Sequence, residues 1–309
     1  MVSTISTLCG VDNLVFQAGM GGVAGPELAA AVSNAGGLGH LGGIRRSASD
    51  IRDWIRETRR LTDRPFGINL VPKGPGPDGF EAQLSVVLVE KPKVLSLFWG
   101  DFSHVIPRAK AAGIITMIQV GSVAEARKAA EDGVDIVIAQ GIEAGGHVAG
   151  TIGLQALLRA VVPAVAPCPV LAAGGIADHD GVDAAIRLGA AGVWVGTSFV
   201  ATTESLAHDI YKKRLVQADA DDTVRGRFYS YGWPLGTPYR VIPPRKKSFL
   251  RFVAGGARRM DKDRHAEGLS VYAGQGVGLI DRVLPAARVL AELSGMLSPK
   301  YGVNKEDVS

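Results

Sequence analysis

The chain contains few of the residues on which several classes of protein depend. Only two of its 309 residues are cysteines, Cys9 and Cys168, so a disulfide scaffold and a paired-cysteine zinc or redox site are excluded. No Gly-x-Ser-x-Gly sequence is present, and neither cysteine has a recognisable partner for nucleophilic catalysis. Hydrolytic acyl transfer is therefore disfavoured.

Long hydrophobic runs are also missing. The most apolar stretch, residues 154–173, is interrupted by Arg159, Pro163, Pro167 and Pro169. Residues 1–30 show no basic start followed by an apolar core and a cleavage site. We therefore expect a soluble cytoplasmic protein with no membrane partner.

Charge is concentrated in one part of the chain. Residues 223–267 hold eleven Lys or Arg against three acids, although the formal net charge of the whole chain is only +4. Such a segment is compatible with a nucleic-acid-binding patch or with a solvated insertion. We favour the insertion, because no nucleic-acid-binding motif accompanies it.

Glycine is abundant, with 40 residues, close to twice the usual share of roughly 7%. The glycines follow no three-residue period, and the chain is rich in aliphatic residues, so neither collagen nor a disordered linker fits. The excess indicates a folded protein with many special backbone positions.

Eight short apolar runs alternate with helical patterns, which predicts repeated βαβ units. These runs are Leu14–Ala18, Gly37–Leu41, Pro65–Val71, Val94–Trp99, Ile114–Val120, Asp135–Gln140, Val170–Ala173 and Val193–Val195. Pro26 and Ser122 mark two helix starts between them. The pattern predicts an α/β fold, namely a (β/α)8 TIM barrel with a smaller α-rich subdomain. An open doubly wound sheet shows the same alternation of strands and helices and is the alternative. We assign residues 1–210 and 269–309 to the barrel with its closing C-terminal helix and 211–268 to a basic lid.

Polar and glycine residues follow the predicted strand ends, where barrel enzymes carry their chemistry. Gly174 and Gly175 follow the seventh run, and Gly196 and Thr197 follow the eighth. Glycines let backbone N–H groups approach an anion, so these two turns predict a phosphate site. Strand-to-helix turns without a ligand are the alternative.

A second glycine pattern predicts no cofactor site. Residues 37–42 match GxGxxG, but they follow a helix and occupy a strand position, which is wrong for a Rossmann dinucleotide-binding turn.

His147 is the leading catalytic candidate. It stands at the end of the sequence Glu143-Ala-Gly-Gly-His147, after the sixth run. Imidazole moves protons near neutral pH, so this position indicates general acid–base chemistry; a histidine bonded to a neighbouring carbonyl is the structural alternative. The other five histidines lack the spacing of metal ligands, and His40 is expected near the barrel mouth.

Several segments together resemble the nitronate monooxygenase family, formerly called 2-nitropropane dioxygenases. They are Gln17-Ala-Gly-Met20, Ala31-Val-Ser-Asn-Ala-Gly-Gly-Leu-Gly39, Phe66-Gly-Ile-Asn69, Glu143-Ala-Gly-Gly-His147, Ala172-Ala-Gly-Gly-Ile176, Val195-Gly-Thr197 and Ala273-Gly-Gln275. The resemblance implies an FMN-binding TIM barrel that oxidises nitronates or nitroalkanes with O2 to a carbonyl compound and nitrite, with His147 as the base.

The resemblance also implies which residues hold FMN. The flavin ring and ribityl chain are expected beside Gly19, Met20, Asn69, Gln119 and Gly145, and the phosphate beside Gly174, Gly175, Gly196 and Thr197. Independently of the resemblance, Tyr272 and Gln275 precede a predicted helix and are expected to complete the pocket; a helix start without a ligand is the alternative.

Two departures point to an alternative activity. Gly19 stands where many nitronate monooxygenases have proline, and Gly276 where many have serine. The same loop occurs in flavin-dependent enoyl-ACP reductases and quinone reductases, so an NAD(P)H-dependent reductase stays open. The sequence leaves the oligomeric state open.

Overall fold

Eight parallel strands form the centre of the protein in a computed structural model that describes residues 4–74, 76–227, 236–244 and 270–296. The strands are β1 (Val15–Gln17), β2 (Gly39–Gly42), β3 (Phe66–Leu70), β4 (Val94–Phe98), β5 (Ile115–Val120), β6 (Ile136–Gln140), β8 (Val170–Ala173) and β9 (Gly192–Val195). Their order in the sheet is β1-β9-β8-β6-β5-β4-β3-β2. A parallel bridge between Phe16 and Leu38 joins β1 to the chain entering β2. The sheet therefore curls into a nearly closed barrel.

Helices surround this sheet on its outer face. They are α1 (Thr4–Cys9), α2 (Pro26–Asn34), α3 (Ala48–Leu61), α4 (Phe80–Glu90), α5 (Val105–Ala111), α6 (Val123–Glu131), α7 (Leu154–Val165), α8 (His179–Arg187), α9 (Thr197–Val200), α10 (Asp209–Val216) and α11 (Ala286–Leu293). Short 3-10 helices span Ala220–Asp222 and Gln275–Leu279. Helix α11 packs on α2, α8 and α9 and so completes the outer layer.

The barrel has two hydrophobic layers. Side chains inside it, such as Phe16, Met117 and Ile138, pack with Ile5 and Cys9 of α1, which closes the amino-terminal end of the strands. A larger layer lies between the strands and the outer helices. Strands covered on both faces have nearly continuous apolar sequences, which is why the eight runs are readable in the sequence.

A smaller antiparallel sheet lies at the opposite end of the barrel. Its strands are β7 (Gly146–His147), β10 (Val224–Gly226), β11 (Tyr239–Ile242) and β12 (Val271–Tyr272). Strand β11 pairs with each of the other three. The sheet therefore ties the loop after β6 to segments more than 75 residues later in the chain. No sequence signal predicted it, because strands of two to four residues are too short to carry a recognisable alternation.

The predicted barrel is confirmed, and each predicted strand lies within two residues of an observed one. The two predicted helix starts are confirmed at Pro26 and at Ser122, whose hydroxyl accepts a hydrogen bond from the Glu125 N–H. The division at residues 211–268 stays a prediction, and most of the basic segment, 228–235 and 245–269, lies outside the described residues. Across the described part of the chain, no helix has the length and apolarity needed to cross a bilayer.

Candidate active site

A cavity of about 460 Å³ opens at the carboxyl ends of the barrel strands. Ten of the eleven residues predicted to bind the cofactor line it, and the predicted catalytic His147 lines it as well. The ten are Gly19, Met20, Asn69, Gln119, Gly145, Gly174, Gly175, Gly196, Thr197 and Tyr272. Gln275 is exposed at the start of a 3-10 helix and lies outside the lining; its backbone N–H donates to the carbonyl of Glu143. The fold thus gathers residues from the carboxyl ends of six barrel strands, together with Tyr272 of β12, into one cavity.

The two glycine turns face the cavity with a conformation that glycine favours. Gly174 and Gly175 have φ values of +112° and +73°. Among the residues that the structure describes, no acceptor takes a hydrogen bond from the backbone N–H of Gly174, Gly175 or Gly196. These unengaged donors at adjacent strand ends are what an oxyanion group needs.

Two further glycines allow close approach of backbone segments around the cavity. A Cβ on Gly145 would lie 2.4 Å from the carbonyl carbon of Ala273, and a Cβ on Gly19 would lie 2.3 Å from the Cβ of Asn69. Both distances are far below van der Waals contact. These positions hold the loop after β6 against residues 273–274, and the loop after β1 against β3.

His147 is held in the cavity by backbone pairing on one side and by a side-chain hydrogen bond to its carbonyl. It lies on β7 opposite Tyr239, and its carbonyl accepts a hydrogen bond from the Gln140 side-chain amide at 3.1 Å. Its ring is buried between Trp99 and Tyr272, with centroids 5.7 and 5.3 Å away. The histidine is therefore held in place rather than carried on a loose loop.

The electrostatic environment keeps this imidazole neutral. Burial lowers the pKa of His147 from its ordinary 6.5 to about 3, and the positive charge of Arg45 lowers it as well. A neutral imidazole can accept a proton, but one with so low a pKa accepts it weakly unless a negative charge is bound nearby.

Sequence reasoning missed three residues at this site. Arg45 and Gln140 line the cavity, and Trp99 contacts His147. Arg45 and Trp99 have positive φ values of 60° and 59°, which is uncommon for residues other than glycine. The Oε1 atom of Gln140 is buried with no hydrogen-bond partner within the described residues. All three stand at or shortly after the end of a predicted strand, and this position is the one sequence feature that points to them.

His40 lies in the barrel interior rather than at the mouth. It is fully buried, its ring makes an edge contact with Trp194 at 4.5 Å, and it does not line the cavity. Burial lowers its pKa to about 3. Across the described residues there is no group of three or more His, Cys, Asp or Glu side chains that could hold a metal ion.

Comparison with known proteins identifies relatives along most of the chain. The family model for nitronate monooxygenase matches residues 3–81 and 74–242. A nitronate monooxygenase of Paraburkholderia phytofirmans is 35% identical, with 93% of this chain and 92% of that protein covered. The solved structure of FabK from Thermotoga maritima superposes with a TM-score of 0.84 at 35% identity, covering 95% of each chain.

A third relative has a different activity in its name. It is the (3aS,4S,5R,7aS)-5-hydroxy-7a-methyl-1-oxo-octahydro-1H-indene-4-carboxyl-CoA dehydrogenase of Rhodococcus jostii, 37% identical over 78% of this chain. This chain covers 65% of the length of that dehydrogenase. The family and its flavoprotein neighbours imply a flavin cofactor and an oxidoreductase activity. The chain belongs to the nitronate monooxygenase family.

Proposed function

We propose that the protein is an FMN-dependent nitronate monooxygenase that converts a nitronate and O2 into a carbonyl compound and nitrite. The observation that carries this proposal is that a buried, neutral His147 and the positively charged Arg45 line the same cavity. A cation beside the reaction centre stabilises an anion such as a nitronate, while a neutral imidazole can accept a proton from carbon.

The residues present fit FMN. Its phosphate would be held by the unengaged N–H groups of Gly174, Gly175 and Gly196, with Thr197 beside them. Its ring and ribityl chain would contact Gly19, Met20, Asn69, Gln119, Gly145 and Tyr272. The unpartnered Oε1 of Gln140 offers an acceptor to a ring or ribityl donor. When bound, FMN supplies the electron transfer between the nitronate and O2.

The protein itself supplies orientation and proton control. The rings of Trp99 and Tyr272 cover His147 and exclude water from it. On a neutral nitroalkane, His147 would accept the proton from the carbon that bears the nitro group. Because its pKa is about 3, we propose that the site favours the nitronate, which arrives already deprotonated.

His147→Gln tests this division of roles. The variant should keep its flavin, lose most turnover on a neutral nitroalkane, and lose less on the preformed nitronate, as measured by O2 consumption with each substrate. An equal loss on both substrates would refute the role of His147 as the base.

An NAD(P)H-dependent reductase acting on an enoyl thioester or a quinone is the second candidate, favoured by the similarity to FabK over 95% of both chains. Anaerobic mixing separates the two. Rapid bleaching of the flavin by NADPH or NADH supports the reductase, whereas bleaching by a nitronate alone supports the monooxygenase. If the protein is the monooxygenase, its small-molecule partners are a nitronate or nitroalkane and O2.

A further inference from the structure

We propose that Arg45 is a specificity-determining residue that binds the oxyanion of the substrate beside His147. This inference rests on the proposed function, and it adds a recognition element that the catalytic histidine and the expected flavin site do not contain.

The backbone of Arg45 places its side chain at the cavity mouth. Its φ of +60° is a left-handed conformation that a residue with a Cβ adopts at a cost, and such conformations persist where the surroundings impose them and where function uses them. The Arg45 N–H donates to the Gly74 carbonyl at 3.1 Å. This bond fixes the loop after β2 against the loop after β3.

A buried amide holds the residues on both sides of Arg45. The Gln83 side chain on α4 is fully buried, and its Nε2 donates to the Gly43 carbonyl at 3.2 Å and to the Arg46 carbonyl at 2.7 Å. The loop therefore has a defined shape, and the position of Arg45 is determined by side chains remote from the cavity.

Arg46 and Asp50 also line the cavity, and each contacts a residue of α3 or of its cap. The guanidinium of Arg46 lies 3.9 Å from the centre of the Trp54 ring. The Asp50 carboxylate accepts a hydrogen bond from the Ser47 N–H as part of the cap of α3. Arg45 is exposed at the mouth and still acts on His147, whose pKa its charge lowers. Of Arg45, Arg46 and Asp50, Arg45 is the one whose charge acts on His147.

The chemistry of the guanidinium matches the substrate. A nitronate is a planar anion with two oxygens on one nitrogen, so it presents the same geometry as a carboxylate. A guanidinium binds such a pair of oxygens through two parallel N–H bonds, which an ammonium group cannot do. Lys73 adds positive charge on the same side, with its Nζ 5.8 Å from the centre of the Trp99 ring.

Arg45→Asn tests the inference on the flavin-loaded enzyme, because asparagine tolerates the left-handed backbone while removing the guanidinium and its charge. We expect kcat/KM for a nitronate to fall about tenfold to a hundredfold, and Arg45→Lys to recover part of it. Arg60→Gln is the matched control: it removes one positive charge from the far end of α3, where Arg60 pairs with Glu57. This control should keep wild-type kcat/KM.

A binding measurement separates failure of this inference from failure of the proposed function. Nitrate, a planar oxyanion that does not react, is titrated into wild type, Arg45→Asn and Arg60→Gln by calorimetry. We expect Arg45→Asn alone to weaken binding about tenfold or more, even if no nitronate is turned over. Nitrate binding that is absent in the wild type or unchanged in Arg45→Asn overturns the inference. A rise in the KM for NADPH with no change in nitrate binding would instead assign Arg45 to a cofactor phosphate and also overturn it.

Discussion

The two buried histidines of the barrel should make its free energy of unfolding depend on pH. Substituting one histidine should remove the contribution of that histidine alone. His147 and His40 each have a folded-state pKa of about 3, against 6.5 without burial. Between these values the unfolded chain binds more protons than the native protein, so stability is full above pH 6.5 and falls as the pH drops. The slope is about 1.4 kcal/mol per pH unit for each group.

Between pH 7 and pH 4.5 each histidine should therefore contribute a loss of about 2–3 kcal/mol, and the two together about 5 kcal/mol. Denaturant unfolding of wild type and His147→Gln at both pH values measures this. Carboxylates that titrate in the same range contribute equally to both proteins and cancel in the difference.

We expect His147→Gln to lose about 2–3 kcal/mol less than wild type on acidification, and a variant that also carries His40→Gln to lose about 5 kcal/mol less. The comparison uses the pH-dependent change, so a lower stability of a variant at pH 7 does not affect it. If both proteins lose the same free energy, the imidazole of His147 is not held neutral by burial, and the electrostatic part of the proposed function fails with it.

Two further predictions concern the cavity wall. Gly196→Ala should keep its flavin, because the new Cβ meets Met20 Sδ at an ordinary 3.6 Å, whereas Gly196→Asp should release it by placing a carboxylate against the phosphate. The flavin-to-protein absorbance ratio measures both, and equal flavin content in the two variants would contradict the phosphate assignment. Gln83→Leu removes the donor that holds the loop around Arg45 and should cost about 1–3 kcal/mol of stability while lowering kcat/KM for the nitronate. Denaturant unfolding and steady-state kinetics test it, and unchanged kinetics would show that the loop keeps its shape without this amide.

The sequence was most informative where one local rule governs several residues. Strands buried on both faces are nearly continuous apolar runs, so the eight barrel strands could be predicted to within two residues. Because active-site residues of such barrels follow the strands, the sequence predicts that His147, Asn69 and Gln119 lie at the same end of the barrel, and all three line one cavity.

Other features depend on residues far apart in the chain. The burial of His147 comes from Trp99 and Tyr272, which stand 48 residues before it and 125 residues after it. Gln275 belongs to a motif shared with the family, so the sequence placed it in the pocket. Its side chain is instead exposed, at the start of the 3-10 helix formed by residues 275–279. Neither outcome has a local signal.

What the sequence by itself determined is the fold, the set of strand ends and the histidine among them, because hydrophobic period, turn glycines and strand length are local properties. Tertiary structure alone decided the environment that keeps that histidine neutral and the position of Arg45 in the cavity wall. A pKa depends on burial and on charges brought close by folding, and the left-handed backbone of Arg45 is imposed by contacts with Gly74 and by Gln83, which holds the residues beside it.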